Sequence, residues 1–441
     1  MSRVSGGIGG MTPKLRQRLA LLSRLRAAAS AAAIANPEDA PVMAAPPTIA
    51  TSATATAALT QIYTFASNPG VFRTSGGIPT VRTDTATYWV FPVTKIGNGV
   101  SAGGDLPGWT ADAEDNQGSA SITFDTDADV VEFALFRNSS VGRGYCFIVD
   151  GAYVSKTVTD LSAAGGGLGR FVKLTFASRK MRTITVEGRS NQMQFSSVAV
   201  GPTALVNYPR GQDVTAIFSG DSFTEGQGYS GWRPAGLTEI AQRRLGITRM
   251  FNLAIGATGY TNDSGAIRRK QVDQITDATR GWGRAGVPWS NPDLVMFANG
   301  YNDRAAISSN ATIRATFKTN AKAAWTAARA LYPNALFVIV CGFGGRSGPN
   351  ADTLEQDVAL KEAFAEWADN FAMFIPVNKD ASVTGFVPWQ TGTGYAGATT
   401  GIGNSDVTTS SDATHPGDYG HDYLAQRFVA AFHVGVVRLT G

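Results

Sequence analysis

From Val214 onward, short apolar runs alternate with helix-forming stretches, and this alternation constrains the fold of the 441-residue chain more than any other feature. Val214 to Ser219, Arg249 to Ala254, Asp293 to Ala298, Ala335 to Cys341 and Phe371 to Val377 read as strands. Leu237 to Leu245, Thr312 to Leu331 and Leu354 to Asn370 read as helices between them, and Gly420 to Val436 closes the chain as another. Strands joined by helical crossovers lie parallel, which predicts a three-layer α/β domain with helices on both faces of the sheet. Ligands of such sheets bind beyond the carboxyl ends of the strands, so the residues that follow each strand are the candidates for chemistry.

The chain ahead of Val214 has a different grammar. Residues 60 to 205 show strand signals and little helix: Val172, Leu174 and Phe176 alternate with Lys173 and Thr175, Ile184 and Val186 alternate with Thr183 and Thr185, and Asp129 to Phe136 is β-rich. Asp150-Gly151 between Cys146 to Val149 and Ala152 to Val154 predicts a hairpin, because a type I′ turn needs positive φ at both central residues. These signals predict a β-sandwich of jelly-roll type. Its Tyr88, Trp89 and Trp109 would suit carbohydrate binding if exposed; burial in the core is the alternative. Before it, Leu15, Leu19, Leu22 and Leu25 recur at helical spacing, and an Ala-rich run carries the helix to Asn36-Pro37. The Pro/Ala/Thr stretch from Pro37 to Ala58 reads as a semi-rigid linker that holds this helix apart, either as a frayed extension or as a segment that docks on a partner or self-associates. The expected layout is 1–58 helix and linker, 59–206 β-sandwich, and 207–441 α/β domain.

Composition excludes several functions. The net charge of +4 resides in the first 40 residues, where six basic side chains face Glu38 and Asp39, leaving 32 basic against 32 acidic residues in the remainder. A neutral body argues against a nucleic-acid partner. No window approaches the roughly 18 apolar residues of a membrane span, and Arg24 and Arg26 interrupt the stretch that would otherwise resemble an export signal. Cys146 and Cys341 fall in different predicted domains, so no disulfide framework or thiolate metal cluster is expected. The three histidines, His415, His421 and His433, lie in the last 27 residues, which places any histidine chemistry there.

The first strand of the α/β domain ends in Gly220-Asp221-Ser222, where a tight turn exposes a serine hydroxyl beside the start of a helix. The second ends near Gly256, which lets a substrate approach a backbone N–H; the third ends in Gly300-Tyr301-Asn302-Asp303, where Asn302 offers a side-chain amide. Serine is a weak nucleophile that needs a general base, and the base needs a carboxylate to fix its tautomer; Asp412-Ala413-Thr414-His415 supplies both. Each fragment alone is common, but four in this order and at these places form one constellation.

On these residues the chain resembles the SGNH (GDSL-like) hydrolase family over about 213 to 438. The resemblance implies a flavodoxin-like fold, Ser222 as nucleophile, His415 and Asp412 as base and acid, and an oxyanion hole made by the N–H groups of Ser222 and Gly256 and the Asn302 amide, with no cofactor. Lys379 to Ser411, long and Gly/Thr-rich, departs from a minimal member and is expected to shape the substrate site. A β-sandwich before such a domain is similar to carbohydrate esterases that remove acetyl groups from polysaccharides and to deacetylating proteins of phage tails. The implied function is removal of O-acetyl groups from a carbohydrate such as a bacterial surface polysaccharide, by a virion or extracellular protein. The alternatives are a secreted esterase or lipase of other acyl esters and a non-catalytic glycan-binding module. Trp232, Trp282, Trp289, Tyr301 and Trp389 are candidate sugar platforms, of which Trp232, Tyr301 and Trp389 are the substrate-binding choices. A metal site from Asp412, His415, Asp418, His421 and Asp422 is disfavoured, because Pro416, Gly417 and Gly420 are expected to break the helical register that would align them.

Overall fold

A computed structural model describes residues 13–35, 41–77, 80–81, 89–90, 119–136, 144–161, 169–189, 193–229, 234–264, 269–277, 282–283 and 287–440. Helix α1 (Pro13–Ala35) precedes strands β1 (Thr48–Ser52), β2 (Gln61–Tyr63), β3 (Arg73–Ser75), β4 (Thr80–Val81), β5 (Trp89–Val90), β6 (Ser119–Thr126), β7 (Val130–Phe136), β8 (Cys146–Val149), β9 (Ala152–Tyr153), β10 (Gly169–Thr175), β11 (Arg182–Arg189), β12 (Gln194–Val200) and β13 (Val206–Asn207). These strands pair with one another antiparallel. One sheet is ordered β1-β10-β7-β12-β5-β4 with β2 also on β12, and the other β13-β6-β11-β8-β9 with β3 also on β6. Ile122, Phe124, Ile184 and Val186 of one sheet and Val131, Phe133, Val172 and Leu174 of the other belong to one buried core, as the two-residue period requires. The hairpin turn between β8 and β9 has φ of 50° at Asp150 and 85° at Gly151, the signs expected for its type. Tyr88 and Trp109 lie outside the described residues, and Trp89 stands in β5, paired with Phe195.

The second half contains β14 (Thr215–Gly220), α2 (Ser222–Glu225), α3 (Leu237–Arg244), β15 (Arg249–Asn252), α4 (Gln271–Thr276), β16 (Leu294–Ala298), α5 (Ala311–Leu331), β17 (Leu336–Val340), α6 (Ala351–Trp367), β18 (Ala372–Ile375), α7 (Ser405–Thr408) and α8 (Asp418–Thr440). The strands form a parallel sheet in the order β15-β14-β16-β17-β18, the flavodoxin-like arrangement. Every residue of β14, β16 and β17 is buried, as expected of strands covered on both faces. The direction of strand order reverses between β14 and β16, which opens a crevice beyond their carboxyl ends.

Two expectations for the N-terminal part are corrected. Helix α1 does not stand apart: Leu21, Leu22, Leu25 and Ala29 are buried in the core of the parallel-sheet domain. The Arg18 guanidinium lies 4.6 Å over the Phe371 ring, and Arg24 pairs with Asp293. The small alanines permit this approach; a Cβ on Gly246 would stand 2.5 Å from the Ala28 carbonyl oxygen. The stretch read as linker is also partly structured, since β1 pairs with β10 along its whole length and Val42 bridges to Tyr153. Propensity at a sheet edge gives little warning of either, because the pairing partner decides the conformation.

The two halves share a boundary at the exposed edge of β15. The Ser75 hydroxyl accepts from the Met250 N–H at 2.8 Å and donates to its carbonyl at 3.1 Å, and the Gly76 N–H donates to the same carbonyl at 2.7 Å. An unpaired strand edge is thereby covered.

Because Leu22 is core rather than tether, Leu22→Ala should cost roughly 2 to 4 kcal/mol of stability. Denaturant unfolding of the full chain checks this, and a midpoint equal to that of the wild type would show that α1 is not integrated.

Candidate active site

Strand β14 delivers Asp221 and Ser222 to the crevice. Asp221 caps α2 by accepting from the Phe223 N–H at 3.1 Å, and its other oxygen accepts from the Tyr301 N–H at 3.2 Å. Burial pushes the Asp221 carboxyl up to about 7, against these backbone bonds, which pull the other way. Ser222 occupies the first position of α2, where a helix N–H has no intrahelical acceptor.

His415 and Asp412 reach this point from the other end of the domain. The His415 Nε2 lies 2.9 Å from the Ser222 Oγ, and its Nδ1 lies 2.6 Å from the Asp412 Oδ2. The second Asp412 oxygen accepts from the Ser410 hydroxyl at 2.7 Å and from the N–H groups of Thr414 and His415 at 2.8 and 2.9 Å. Partial burial alone would raise the Asp412 pKa, but the bonds from His415, Ser410 and Thr414 outweigh it and hold the carboxyl at about 2. An ionised carboxylate only accepts, so the imidazole carries its proton on Nδ1 and turns the Nε2 lone pair toward Ser222.

Gly256 lies against the serine, and Asn302 follows Tyr301, whose N–H binds Asp221. A Cβ on Gly256 would lie 3.5 Å from the Ser222 Cβ and 2.6 and 2.8 Å from Glu225 Oε2 and Gln227 Nε2, so a side chain there would displace the ends of those two side chains. The Asn302 amide donates to the Thr258 carbonyl at 2.8 Å with one of its two N–H groups, which fixes the orientation of the other. Asp303 accepts from the N–H groups of Tyr260, Thr261 and Asn262 at 2.7, 2.9 and 2.7 Å and locks the turn after β16 onto the loop after β15. Asp303, although part of the matched motif, has this bracing role only in three dimensions, as does Thr258.

The aromatic candidates fare differently. Trp282 and Trp289 are fully buried, with the Trp289 indole N–H on the Trp282 carbonyl. Trp389 is also buried, between Phe343 and the Arg427 guanidinium, so it packs the core and offers no platform. Tyr301 is half-buried, its ring packed 4.8 Å from Phe223 and covered by the Arg304 guanidinium at 3.8 Å. Trp232 lies outside the described residues.

The expected break in helical register near His421 is corrected as well: α8 begins at Asp418 and runs through Gly420. His421 is buried there, accepting the Leu237 N–H at Nδ1 (3.1 Å) and donating from Nε2 to the Gln227 carbonyl (2.9 Å), so neither ring nitrogen is left for a metal. This strut holds the loop in which Gly228, at φ of 87°, packs against His415; a Cβ there would stand 2.8 Å from the His415 Cβ and 2.4 Å from the Pro416 carbonyl.

Burial lowers the His421 pKa from 6.5 to about 4. The folded state thus binds fewer protons than the unfolded state in this window, and the contribution is full above about 6.5 and lost as pH falls through about 4. Asp221, with its raised pKa, has the opposite slope over part of the range, so the difference between proteins is the informative quantity. The stability advantage of the wild type over His421→Gln should be largest at neutral pH and shrink toward pH 4, by chemical unfolding at a series of pH values. A difference independent of pH would contradict the neutral strut.

The profile of the GDSL-like Lipase/Acylhydrolase family matches residues 218–423. No curated protein matches the chain by sequence. Among solved structures, a family two carbohydrate esterase from Cellvibrio japonicus is 13% identical, covers 89% of this chain and 100% of its own, with a TM-score of 0.55. An acetyl xylan esterase from the rumen bacterium Butyrivibrio proteoclasticus is 12% identical over 86% of this chain and 99% of its own, with a TM-score of 0.52. A salicylyl-acyltransferase from a tetracycline biosynthetic pathway is 14% identical over 85% and 98%, with a TM-score of 0.54. At these identities the likeness is one of fold, and it extends across the antiparallel sheets as well as the parallel one. The matched profile identifies residues 218–423 as a GDSL-like lipase/acylhydrolase domain, an SGNH-type hydrolase of carboxylic esters, and the shared fold agrees with it.

Proposed function

We propose that the protein is a serine esterase that removes O-acetyl groups from a polysaccharide. The observation that carries the reading is the chain of hydrogen bonds from Asp412 through His415 to Ser222, placed where strand order reverses. His415 Nε2 takes the Ser222 proton as the Oγ attacks the ester carbonyl, and Asp412 stabilises the imidazolium that forms. The N–H groups of Ser222 and Gly256 and the free N–H of the Asn302 amide receive the oxyanion. His415 returns the proton to the departing sugar hydroxyl, and water then repeats the cycle on the acyl-serine.

The carbohydrate part of the proposal draws on the fold shared with the carbohydrate esterase, which includes the β-sandwich and not the hydrolase domain alone. A virion role rested on the resemblance to phage-tail deacetylases together with an N-terminal helix and linker free to attach. With Leu21, Leu22 and Leu25 packed in the hydrolase core, the proposal is confined to the enzyme and its glycan.

Acetate release from O-acetylated polysaccharide by the wild type should vanish in Ser222→Ala. Cleavage of p-nitrophenyl acetate alone would uphold the serine chemistry and remove the glycan, whereas release from both by the serine variant would remove the mechanism. Asn302→Ala should lower kcat about a hundredfold, corresponding to ~3 kcal/mol of transition-state stabilisation. Unchanged turnover in that variant would take Asn302 out of the oxyanion hole.

A further inference from the structure

The long segment before the Asp412–His415 pair has work that the hydrolytic machinery does not use. Its Gln390 side chain accepts from the Gly345 N–H at 3.2 Å, and a Cβ on Gly348 would stand 2.7 Å from the Gly392 carbonyl, so the segment grips the turn Gly345–Ser347. That turn borders the site: a Cβ on Gly345 would lie 3.0 Å from the Thr414 carbonyl and 3.1 Å from the Tyr301 ring. The segment also lies against the catalytic loop from the other side, since the Ala396 N–H donates to the Thr409 carbonyl at 3.0 Å, and Thr409 bridges to Pro416 beside His415.

The turn itself carries a cation. Arg346 is exposed, its guanidinium lies 5.5 Å over the Tyr395 ring, and no described carboxylate pairs with it. Asp406 accepts from the N–H groups of Thr400 and Gly401, and Asp412 binds the His415 ring. An arginine supported on an aromatic face keeps its planar fork of donors oriented at little entropic cost, and that fork matches a carboxylate bidentately.

We propose that Arg346 and Tyr395 form a subsite at the rim of the cleft for the carboxylate of an acidic sugar, so that the polysaccharide deacetylated is a uronic-acid-containing one. The proposal rests on the esterase reading above and adds to it the charge of the substrate. Arg346 binds the sugar carboxylate, and Tyr395 holds the guanidinium and borders the sugar.

The test compares kcat/KM of the full chain on O-acetylated polygalacturonate and on O-acetylated xylan, which is neutral, with p-nitrophenyl acetate as a third substrate. The wild type should prefer the acidic polymer, and Arg346→Ala should reduce the acidic-to-neutral ratio about tenfold, the usual loss of a hydrogen-bonded charge partner, mainly through KM. Arg346→Glu should reduce it further, and salt near 1 M, where the Debye length is about 3 Å, should erode the wild-type preference. Equal losses on both polymers in the arginine variants, or no preference in the wild type, would overturn the subsite and leave the esterase standing. Cleavage of the small ester with release from neither polymer would overturn both the polysaccharide reading and the subsite.

Discussion

The 2.9 Å contact between His415 and Ser222 joins residues 193 positions apart, on two elements that only the folded parallel-sheet domain brings together. Ser222 is carried by the first strand of the parallel sheet and His415 by the loop that enters the last helix, so the contact forms only when the sheet is complete and α8 has packed across it. Leu424, Phe428, Phe432 and Val436 of α8 supply that packing from within the same core as β14. The contact thus depends on a hydrophobic interface that contains neither Ser222 nor His415.

The loops beyond the strand ends are held by one repeated device, a carboxylate that gathers successive backbone N–H groups. Asp303 gathers those of Tyr260 to Asn262, Asp357 those of Val377 to Lys379, Asp406 those of Thr400 and Gly401, and Asp412 those of Thr414 and His415. Loops lack ladder partners, so such bonds satisfy donors that burial would otherwise leave unmade. Burial raises the pKa of Asp303 and Asp357, whereas the N–H bonds dominate at Asp406 and lower it. Asp412 divides its bonds: one oxygen organises its own loop while the other binds the His415 Nδ1.

The parts of this arrangement that were legible in the sequence are those set by local pattern. Strand and helix periodicity located the parallel sheet, the residues after its strands marked Ser222, Gly256 and Asn302, and the stretch before the last helix marked Asp412 and His415; the structure joins Ser222, His415 and Asp412 by hydrogen bonds and sets Gly256 against Ser222. What was not legible depends on partners distant in the chain. The apolar stripe of α1 is equally compatible with a free helix and with the docked one observed, and β1 is too short and Thr-rich to announce that β10 awaits it. Trp389 follows Pro388 in a loop-like context, yet its ring is enclosed by Phe343 and Arg427 from two different elements. The bracing roles of Thr258, Asp303 and His421 have no sequence signal of their own, because each acts on backbone groups whose positions only the fold defines.

The central claim is that Ser222 is a nucleophile activated by His415. Incubation of the full chain with a fluorophosphonate, followed by peptide mass spectrometry, tests it directly, since this reagent captures an activated serine in proportion to its nucleophilicity. A single stable adduct on the Ser222 peptide, formed by the wild type and absent from His415→Ala, is the predicted result. Labelling of another residue, or equal labelling of Ser222 without His415, would contradict the account.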